Sequence, residues 1–519
     1  MLRKRPLALA LVLLGVALLA PARPLAAQLT EGVLAPAGRL RFEVTPTLDL
    51  WDRRFGPDGS EPLGFDLENG PLLRLGPLDT ALRAALNDQG ATLEAGSLQA
   101  LVLRDRTEVA LGLAVGVFDW LTVGVRAPLV KARTELAVDF RADDADVGIN
   151  PSLAGDGRVT GFLNGLSAGR AALQARVTQS CPGPDCAALT DLLTRYTTFG
   201  THLAGAYAQR LFVTQGSAHA TALGQRVTSF RTEIGARAPG VPLPGAPPFA
   251  AGPLTQAQLG DLLTDPAYGV QLIQPFDTDR SLWQIGDVEV SAAVRLLEGG
   301  GASLRYLLGA QALARLPTGH TDSPDIALDQ GSGDGQLDLE GGTFADVRWP
   351  RVGLRAEARY GVQRPTELTR RVAAPDDVFA PFASRALVRW TPGSYLAAEA
   401  APAWYLTDEM WIGGIYRFRS KAADEYEVLG AFPDGVVRDG ALLEQETEAT
   451  LHELGVGVAF STLSTWREGR TGIPFEVRLA VRRGIAGTGN TPAGTSMELT
   501  GRVFWRLWGP DPAPAAAAP

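Results

Sequence analysis

Arginine and carboxylate side chains recur at every second position in several segments of this sequence. Residues 287–295 and 351–359 show the pattern, with apolar residues at the positions between. Alternate residues of a β-strand share one face. Inside a closed sheet such rows either pair and fill the interior, or line a hydrated path and set its charge preference. The candidates for this lining are Asp287, Glu289, Arg295, Arg305, Arg315, Arg351, Arg355, Glu357, Arg359, Glu476, Arg478, Arg482 and Arg502.

The four histidines offer little support for catalysis. His202 and His219 lie in an aperiodic region, His320 in a polar loop, and His452 in the apolar row of a predicted strand. A hydrolase needs a nucleophile or a water molecule activated by a positioned base. No catalytic motif stands beside any of them, so an enzyme is the least favoured function and no cofactor is predicted.

The two cysteines, Cys181 and Cys186, are separated by a Pro-Gly-Pro-Asp stretch. In an exported chain this spacing favours a local disulfide that closes a turn. A redox or metal role is disfavoured because the chain has no second pair of cysteine ligands.

Aspartates are frequent among the glycines of residues 322–338, and their hard oxygens could hold calcium. The candidate ligands are Asp329, Asp334 and Asp338. Their spacing does not match an EF-hand loop, so a solvated surface loop is the preferred interpretation.

The elements that position these side chains are long strands. Residues 286–317 predict a hairpin with Glu298 to Gly301 at its turn, and each arm has one apolar and one polar face. Each arm also reaches the roughly 9 to 11 residues that a tilted strand needs to cross a bilayer. The pattern predicts a hairpin in a membrane.

The whole chain predicts an all-β fold, a transmembrane antiparallel β-barrel of about 12 strands, within a range of 10 to 14. Short turns near residues 119, 299, 350, 408 and 468 alternate with long polar loops at 52–96, 141–280, 317–335, 364–394, 420–446 and 484–495. This asymmetry is typical of outer-membrane barrels. Most of the 10 tryptophans fall near strand ends, as expected for two aromatic girdles.

Residues 141–280 lose the two-residue period and predict a partly helical insertion between strands 3 and 4, with helices at 187–196, 202–212 and 256–263. The insertion is too long for an ordinary loop. It could form an extracellular cap, a plug in the lumen or a periplasmic subdomain, and the strand count favours the first two.

The N-terminus predicts export. Residues 1–27 have the basic, apolar and small-residue regions of a signal peptide. The remaining segments are predicted as 28–140 with the first barrel strands, the insertion, 281–508 with the other strands, and a disordered Pro/Ala-rich tail at 509–519. The net charge of -9 gives no case for binding nucleic acid, which needs a clustered basic face.

Two short motifs carry a family resemblance. Ile285-Gly-Asp-Val288 opens one strand and Ala314-Arg-Leu-Pro-Thr-Gly319 closes the next. They resemble the outer-membrane barrel family named for the MetA (meta) pathway of phenol degradation, over residues 282–364. The resemblance implies a Gram-negative outer-membrane barrel that takes up hydrophobic or aromatic compounds, with no particular permeant assigned.

The predicted function is a narrow or gated outer-membrane channel for passive uptake of small, hydrophobic or aromatic compounds. The alternative is a structural or adhesive barrel that presents an extracellular cap. The predicted partners are outer-membrane lipid, a small-molecule permeant and the barrel-assembly machinery.

Overall fold

The computed structural model describes residues 33–69, 75–90, 92–143, 145–153, 155–266, 269–273, 282–301 and 303–511. The predicted signal peptide and residues 512–519 of the predicted tail lie outside them. Among the described helices, none is both long and apolar enough to cross a membrane.

Twelve antiparallel strands form a closed barrel, as predicted, because the first strand pairs with both the second and the last. The two-residue strand Gln284–Ile285 adds to the edge of the third. The barrel strands are β1 Arg39–Trp51, β2 Ser97–Phe118, β3 Leu121–Arg141, β4 Val288–Gly300, β5 Arg305–Leu316, β6 Asp338–Arg348, β7 Val352–Gln363, β8 Tyr395–Tyr405, β9 Met410–Lys421, β10 Ala449–Ser461, β11 Phe475–Thr488 and β12 Thr495–Arg506.

The outer face of the barrel is apolar and exposed. On β7, Leu354, Tyr360 and Val362 point outward, while Arg355 and Arg359 alternate with them and point inward. Exposed leucines, valines and isoleucines follow the same alternation on the other strands. Because lipid covers such a surface, and because a closed barrel leaves no unpaired strand edge, the protein is an outer-membrane barrel.

The first and last described residues, Val33 and Asp511, lie at one rim with five connections of at most 13 residues, and five longer loops and the turn 489–494 lie at the other. Short turns face the periplasm in such barrels, so we name these the periplasmic and extracellular rims. One predicted loop boundary was wrong and another was confirmed. Strand β2 begins at Ser97, directly after the loop predicted at 52–96. The loop predicted at 484–495 is shorter, because β11 continues to Thr488 and β12 begins at Thr495, so that residues 489–494 form only a short turn.

Five tryptophans are exposed near the periplasmic rim, as predicted for a girdle: Trp120, Trp349, Trp404, Trp505 and Trp508. Trp411 and Trp466 also lie near strand ends, but the prediction of a girdle position was wrong for both. Trp466 is only 6% exposed and belongs to a buried cluster, and Trp411 lines an interior cavity. A position near a strand end does not tell whether a ring faces lipid or protein.

Eight helices occur in the described part of the chain. They are α1 Phe65–Asn69, α2 Gly76–Leu86, α3 Gly157–Ser180, α4 Cys186–Tyr207, α5 Ala218–Arg237, α6 Gln256–Thr264, α7 Ala441–Glu444 and α8 Leu463–Arg467. The predicted capping box of α6, formed by Thr255 and Gln258, is present. The helix predicted at 202–212 is helical only as far as Tyr207, where α4 ends, and its last residues were predicted wrongly, because Leu211–Val213 pairs with Val147–Ile149 as a short strand.

We call α3 to α6 with their connections the cap. Its apolar core packs against Leu98, Ala100 and Val102 of β2. These residues share the inward-facing side of β2 with Ala110 and Ala114, and they lie at its extracellular end. Leu136 and Val138 of β3 complete that wall. The cap therefore packs against the inward-facing side of β2 and β3 at their extracellular ends.

Short elements complete the extracellular loops. Thr366–Arg371, Arg385–Thr391 and Glu425–Val428 form a separate three-stranded sheet. A second small sheet contains Arg53–Gly56, Gly59–Pro62 and Thr491–Pro492, and residues Phe382–Ser384 form a 3-10 turn.

Candidate functional site: the barrel lumen

Ion pairs link neighbouring strands along the inner wall of the extracellular half. Arg126 Nη2 lies 2.7 Å from Glu108 Oε1, and its Nη1 lies 3.3 Å from Glu289 Oε2. Arg315 continues the row, with Nη2 at 3.0 Å from Glu289 Oε1 and Nη1 at 2.6 Å from Asp338 Oδ2. The row thus joins β2, β3, β4, β5 and β6.

A second group of ion pairs lies deeper. Arg502 Nε is 2.6 Å from Glu43 Oε2, and its Nη1 is 2.8 Å from Glu476 Oε1. Glu43 and Glu476 both lie opposite Arg502 in the strand register, on β1 and β11. Arg502 is therefore held between two carboxylates by side chains that the sheet already places together.

One ion pair crosses the interior. Arg478 Nη2 of β11 approaches Glu399 Oε1 of β8 to 3.8 Å, although β9 and β10 lie between these strands in the sheet. Glu399 Oε2 also accepts a hydrogen bond from Arg417 Nη2 at 2.8 Å. Charged side chains consequently narrow the lumen at this level. A cavity of about 40 Å³ remains beside Arg355, Arg478 and Arg502.

Most of the predicted lining residues point inward, and many belong to this network. Gln311 donates a hydrogen bond to Glu357, and Arg359 forms an ion pair with the same carboxylate. Arg482 pairs with Glu498. Arg351 is an exception, because it lies exposed in the turn before β7. Arg295 pairs with Glu298 next to the β4–β5 turn, and Arg305 begins β5 beside the same turn.

Several wall residues were missed by the sequence pattern. Glu399 is a single charge in an alanine-rich strand, and Glu340 lies in a strand whose outer face carries Gly341, Thr343 and Ala345. Neither strand shows the clear apolar alternation that marks a membrane strand. Glu340 nevertheless pairs with Arg315 and Arg359.

Residues 33–38, just before β1, enter the lumen from the periplasmic rim. Leu34 is buried against the inward-facing Ala293, Leu307 and Phe344. The backbone N–H of Ala35 donates a hydrogen bond to Thr122 Oγ1 at 2.8 Å. We call residues 33–38 the N-terminal segment.

Glycine at position 116 permits this arrangement. The Gly38 N–H donates to the Gly116 carbonyl at 2.8 Å, and a Cβ atom at Gly116 would lie 2.1 Å from the carbonyl oxygen of Pro36. The guanidinium of Arg41 also donates to the Val33 carbonyl at 3.2 Å. The N-terminal segment therefore lies directly on the inner wall.

Helix α8, in the turn between β10 and β11, closes the other side of this end. Its Leu463 and Trp466 form a buried cluster with Ala35 and Phe504. The Arg39 guanidinium lies 4.9 Å from the centre of the Trp466 ring, and it donates to Asp511 at the start of the predicted tail. Apolar packing thus occupies the periplasmic end, below the charged layers.

Asp287 and the calcium candidates have structural partners. Asp287 lies at the extracellular rim and accepts hydrogen bonds from backbone N–H groups of the β5–β6 loop. Asp338 pairs with Arg315 in the lumen, and Asp329 accepts from the Ser323 N–H. Gln363 donates to both Asp334 and Asp338. The described residues contain no cluster of three or more ligands suited to a metal ion.

His452, His219 and both cysteines lie away from the lumen wall. His452 is on the outer face of β10, where its Nδ1 is 2.8 Å from the Tyr416 hydroxyl, and His219 is 3.4 Å from Asp146 beside the cap. Cys181 and Cys186 form a disulfide between α3 and α4.

No protein-family model matches the chain, and no curated protein matches its sequence. Solved structures of outer-membrane proteins are similar. A channel from Pseudomonas putida F1 is 8% identical, with 94% of this chain and 100% of that chain covered and a TM-score of 0.41. The toluene transporter TodX of P. putida is 9% identical, with 92% of each chain covered and a TM-score of 0.26. The monoaromatic hydrocarbon channel CymD is 7% identical, with 91% and 88% covered and a TM-score of 0.25. At these values the similarities carry no weight for the permeant of this chain.

Proposed function

We propose that the protein is a gated outer-membrane channel for passive uptake of small hydrophobic or aromatic compounds. The observation that carries this proposal is the position of the N-terminal segment. The lumen is closed at the periplasmic end by a stretch of chain that is not itself a barrel strand. Such a stretch can leave the lumen while the strand pairing stays intact.

The contacts of the N-terminal segment suit a removable closure. They include the hydrogen bond to Thr122 Oγ1 and the packing of Leu34 against three wall residues. A net hydrogen bond contributes about 1 kcal/mol, and burial of one leucine about 1.5 to 3 kcal/mol. The packing of Ala35 beside Leu463 and the hydrogen bond from Arg41 to Val33 add to this energy. Because each contact contributes only a few kcal/mol and none is a strand pairing, a minor open population is compatible with them.

The permeant class rests on the resemblance of residues 285–288 and 314–319 to the phenol-degradation family. The proposed solute is small because the charged layers leave only a narrow interior. A hydrophobic solute in the lumen displaces water from the charged side chains of the wall. Because these charges are paired with one another, the loss of their hydration costs less free energy than it would for unpaired charges.

The alternative is an adhesive barrel that presents the cap. It is favoured by the cap's own apolar core, which includes the fully buried Leu173, Leu192 and Leu223. Such a cap could bind a partner without any transport through the barrel. We propose an enzymatic role for neither part.

The decisive experiment compares the natural protein with a variant in which residues 33–36 are replaced by Gly-Ser-Gly-Ser. Single-channel current in planar bilayers and phenol uptake by cells lacking the natural gene are both measured. The channel proposal expects small or brief openings for the natural protein, and larger, longer ones for the variant. Silent bilayers and unchanged uptake with both proteins would instead favour the adhesive barrel.

A further inference from the structure

A second cavity borders the cap and is separate from the lumen wall. Its volume is about 230 Å³, and it lies between the cap, helix α2 and the loop after the strand Thr366–Arg371. Its apolar lining consists of Leu75, Pro77, Leu78, Leu211, Leu262, Val270, Phe379 and Pro381. Leu78, Leu262 and Phe379 are buried, so the floor of the cavity is shielded from water.

The walls of this cavity are held in place by polar contacts outside it. Arg371 donates hydrogen bonds of 2.6 Å to the carbonyls of Val270 and Ala380. The Phe382 N–H donates to the Gly269 carbonyl at 2.7 Å. These bonds fix the loop wall against the cap wall. The cavity is thus formed before any ligand binds, as is usual for small-molecule sites.

A further wall of the cavity, formed by residues 209–211, is held in place by the buried side chain of Asn150. The Asn150 side chain donates to the carbonyls of Tyr207 and Gln209 at 3.0 and 2.7 Å, and its backbone N–H donates to the Arg210 carbonyl at 3.1 Å. Asn150 is fully buried. It therefore sets the course of the chain from the end of α4 to Leu211, which lines the cavity.

The volume and the apolar lining of the cavity indicate the size and polarity of the ligand it can hold. An apolar protein cavity of about 150 Å³ takes up benzene. A volume of about 230 Å³ therefore accommodates one substituted benzene ring, and the apolar floor favours a ring over a polar solute. Polar lining is confined to Gln209 and Arg210, of which Arg210 is exposed at the opening.

We propose that this cavity binds a monocyclic aromatic compound with one oxygen substituent. The ring occupies the floor between Leu78, Leu262 and Phe379, and the oxygen points to the side with Gln209 and Arg210, whose N–H groups can donate to it. The proposal rests on the proposed channel function for the class of ligand. It adds an extracellular binding site that holds the permeant before it reaches the lumen.

The test uses 4-fluorophenol and the full chain in lipid nanodiscs, with binding measured by ¹⁹F NMR against empty nanodiscs. The variant Leu262→Phe fills the cavity from α6. The control Leu153→Phe adds the same side chain at an exposed position of the same insertion. We expect saturable binding to the natural protein and the control, and at least tenfold weaker binding to Leu262→Phe.

A second variant, Phe379→Ala, enlarges the cavity from the loop side. We expect it to bind 2-naphthol at least fivefold more tightly than the natural protein does. This gain would support the site even if Leu262→Phe did not fold. Absence of saturable binding to the natural protein, or equal binding to Leu262→Phe, would overturn the proposal.

Binding and conduction can fail separately. Lost binding in a conducting protein would refute the cap site alone. Retained binding in a protein with silent bilayers and no uptake would refute the channel alone.

Discussion

The Asp287 carboxylate accepts a hydrogen bond from the backbone N–H of Gly319 at 2.8 Å, and this bond joins the two short motifs at residues 285–288 and 314–319. The Thr318 hydroxyl completes the contact, because it donates to the Gly286 carbonyl at 2.8 Å and accepts from the Val288 N–H at 2.9 Å. The motifs thus tie the beginning of β4 to the chain just after β5. Their role at this corner is structural.

Replacing Asp287 by alanine should destabilise the barrel. The change leaves the N–H groups of Gly319 and Asp334 without their carboxylate partner. Hydrogen bonds to a charged group contribute about 1.5 to 3 kcal/mol, so we expect the free energy of unfolding to fall by about 2 to 3 kcal/mol. Urea unfolding followed by the change in gel mobility would measure it.

A control variant and a second variant at the same contact complete this test. Asp119→Ala, at an exposed turn, should have almost no effect. Gly333→Ala should destabilise, since a Cβ atom there would lie 2.5 Å from the Asp287 oxygens. Equal stability of the Asp287→Ala and Asp119→Ala proteins would show that the motifs do not lock this corner.

The variant Thr122→Val should loosen the N-terminal segment. It removes the hydroxyl that accepts from the Ala35 N–H while keeping the size of the side chain. The loss of about 1 kcal/mol corresponds to roughly a fivefold larger open population. Single-channel recording would detect it as an increased open probability.

The control for this prediction is Thr343→Val, on the lipid-facing side of β6. It changes the same chemical groups without touching the N-terminal segment. An unchanged open probability in Thr122→Val, relative to this control, would argue against the segment as the gate.

Much of the barrel could be predicted from the sequence because lipid imposes a strict pattern. Strand β7 shows this, since Val352, Leu354 and Tyr360 must face lipid while the arginines between them cannot. The number of strands follows from counting such segments. The helices α3 and α5 were missed because their alanine- and threonine-rich sequences give only a faint apolar stripe.

The lumen was predictable only in part. A strand's inner row can be identified from its outer row, and this is why Arg315, Arg359 and Arg502 were recognised. The partner of each charge depends on strand register, as when Glu43 meets Arg502 across residues far apart in the chain. The N-terminal segment gave no periodic signal, because Val33 and Leu34 precede the first strand and pack by tertiary contact alone.

Cysteines at positions 355 and 356 should report the two faces of β7. Arg355 lines the interior cavity, while the next residue, Ala356, lies on the outer face. We expect a small water-soluble thiol reagent to label Arg355→Cys much faster than Ala356→Cys. Labelling of the first should accelerate further when residues 33–36 are replaced.

The background in this experiment is low, because the only two natural cysteines form the disulfide Cys181–Cys186. Mass spectrometry of the intact protein would give the labelled fraction with time. Equal rates at the two positions would contradict the assignment of inside and outside.

Two tyrosines in α4 should respond in opposite directions to loss of the hydroxyl group. The Tyr207 hydroxyl donates to the Pro248 carbonyl at 2.6 Å, whereas the buried Tyr196 hydroxyl has no hydrogen-bond partner among the described residues and lies against Gly169. We expect Tyr207→Phe to destabilise the cap by about 1 kcal/mol, and Tyr196→Phe to stabilise it slightly. Hydrogen exchange of the α4 amides would measure both changes.

Tyr196 also predicts that the stability of the cap depends on pH in the alkaline range. Burial raises the pKa of Tyr196 to about 12, from about 10 in an unfolded chain. The neutral phenol is therefore favoured in the folded cap, and its contribution is complete below pH 10 and is lost as the pH rises from about 10 towards 12. Tyr196→Phe should retain more of its exchange protection than the natural protein over this range. An identical alkaline loss in both proteins would show that the pKa of Tyr196 is not raised in the folded cap.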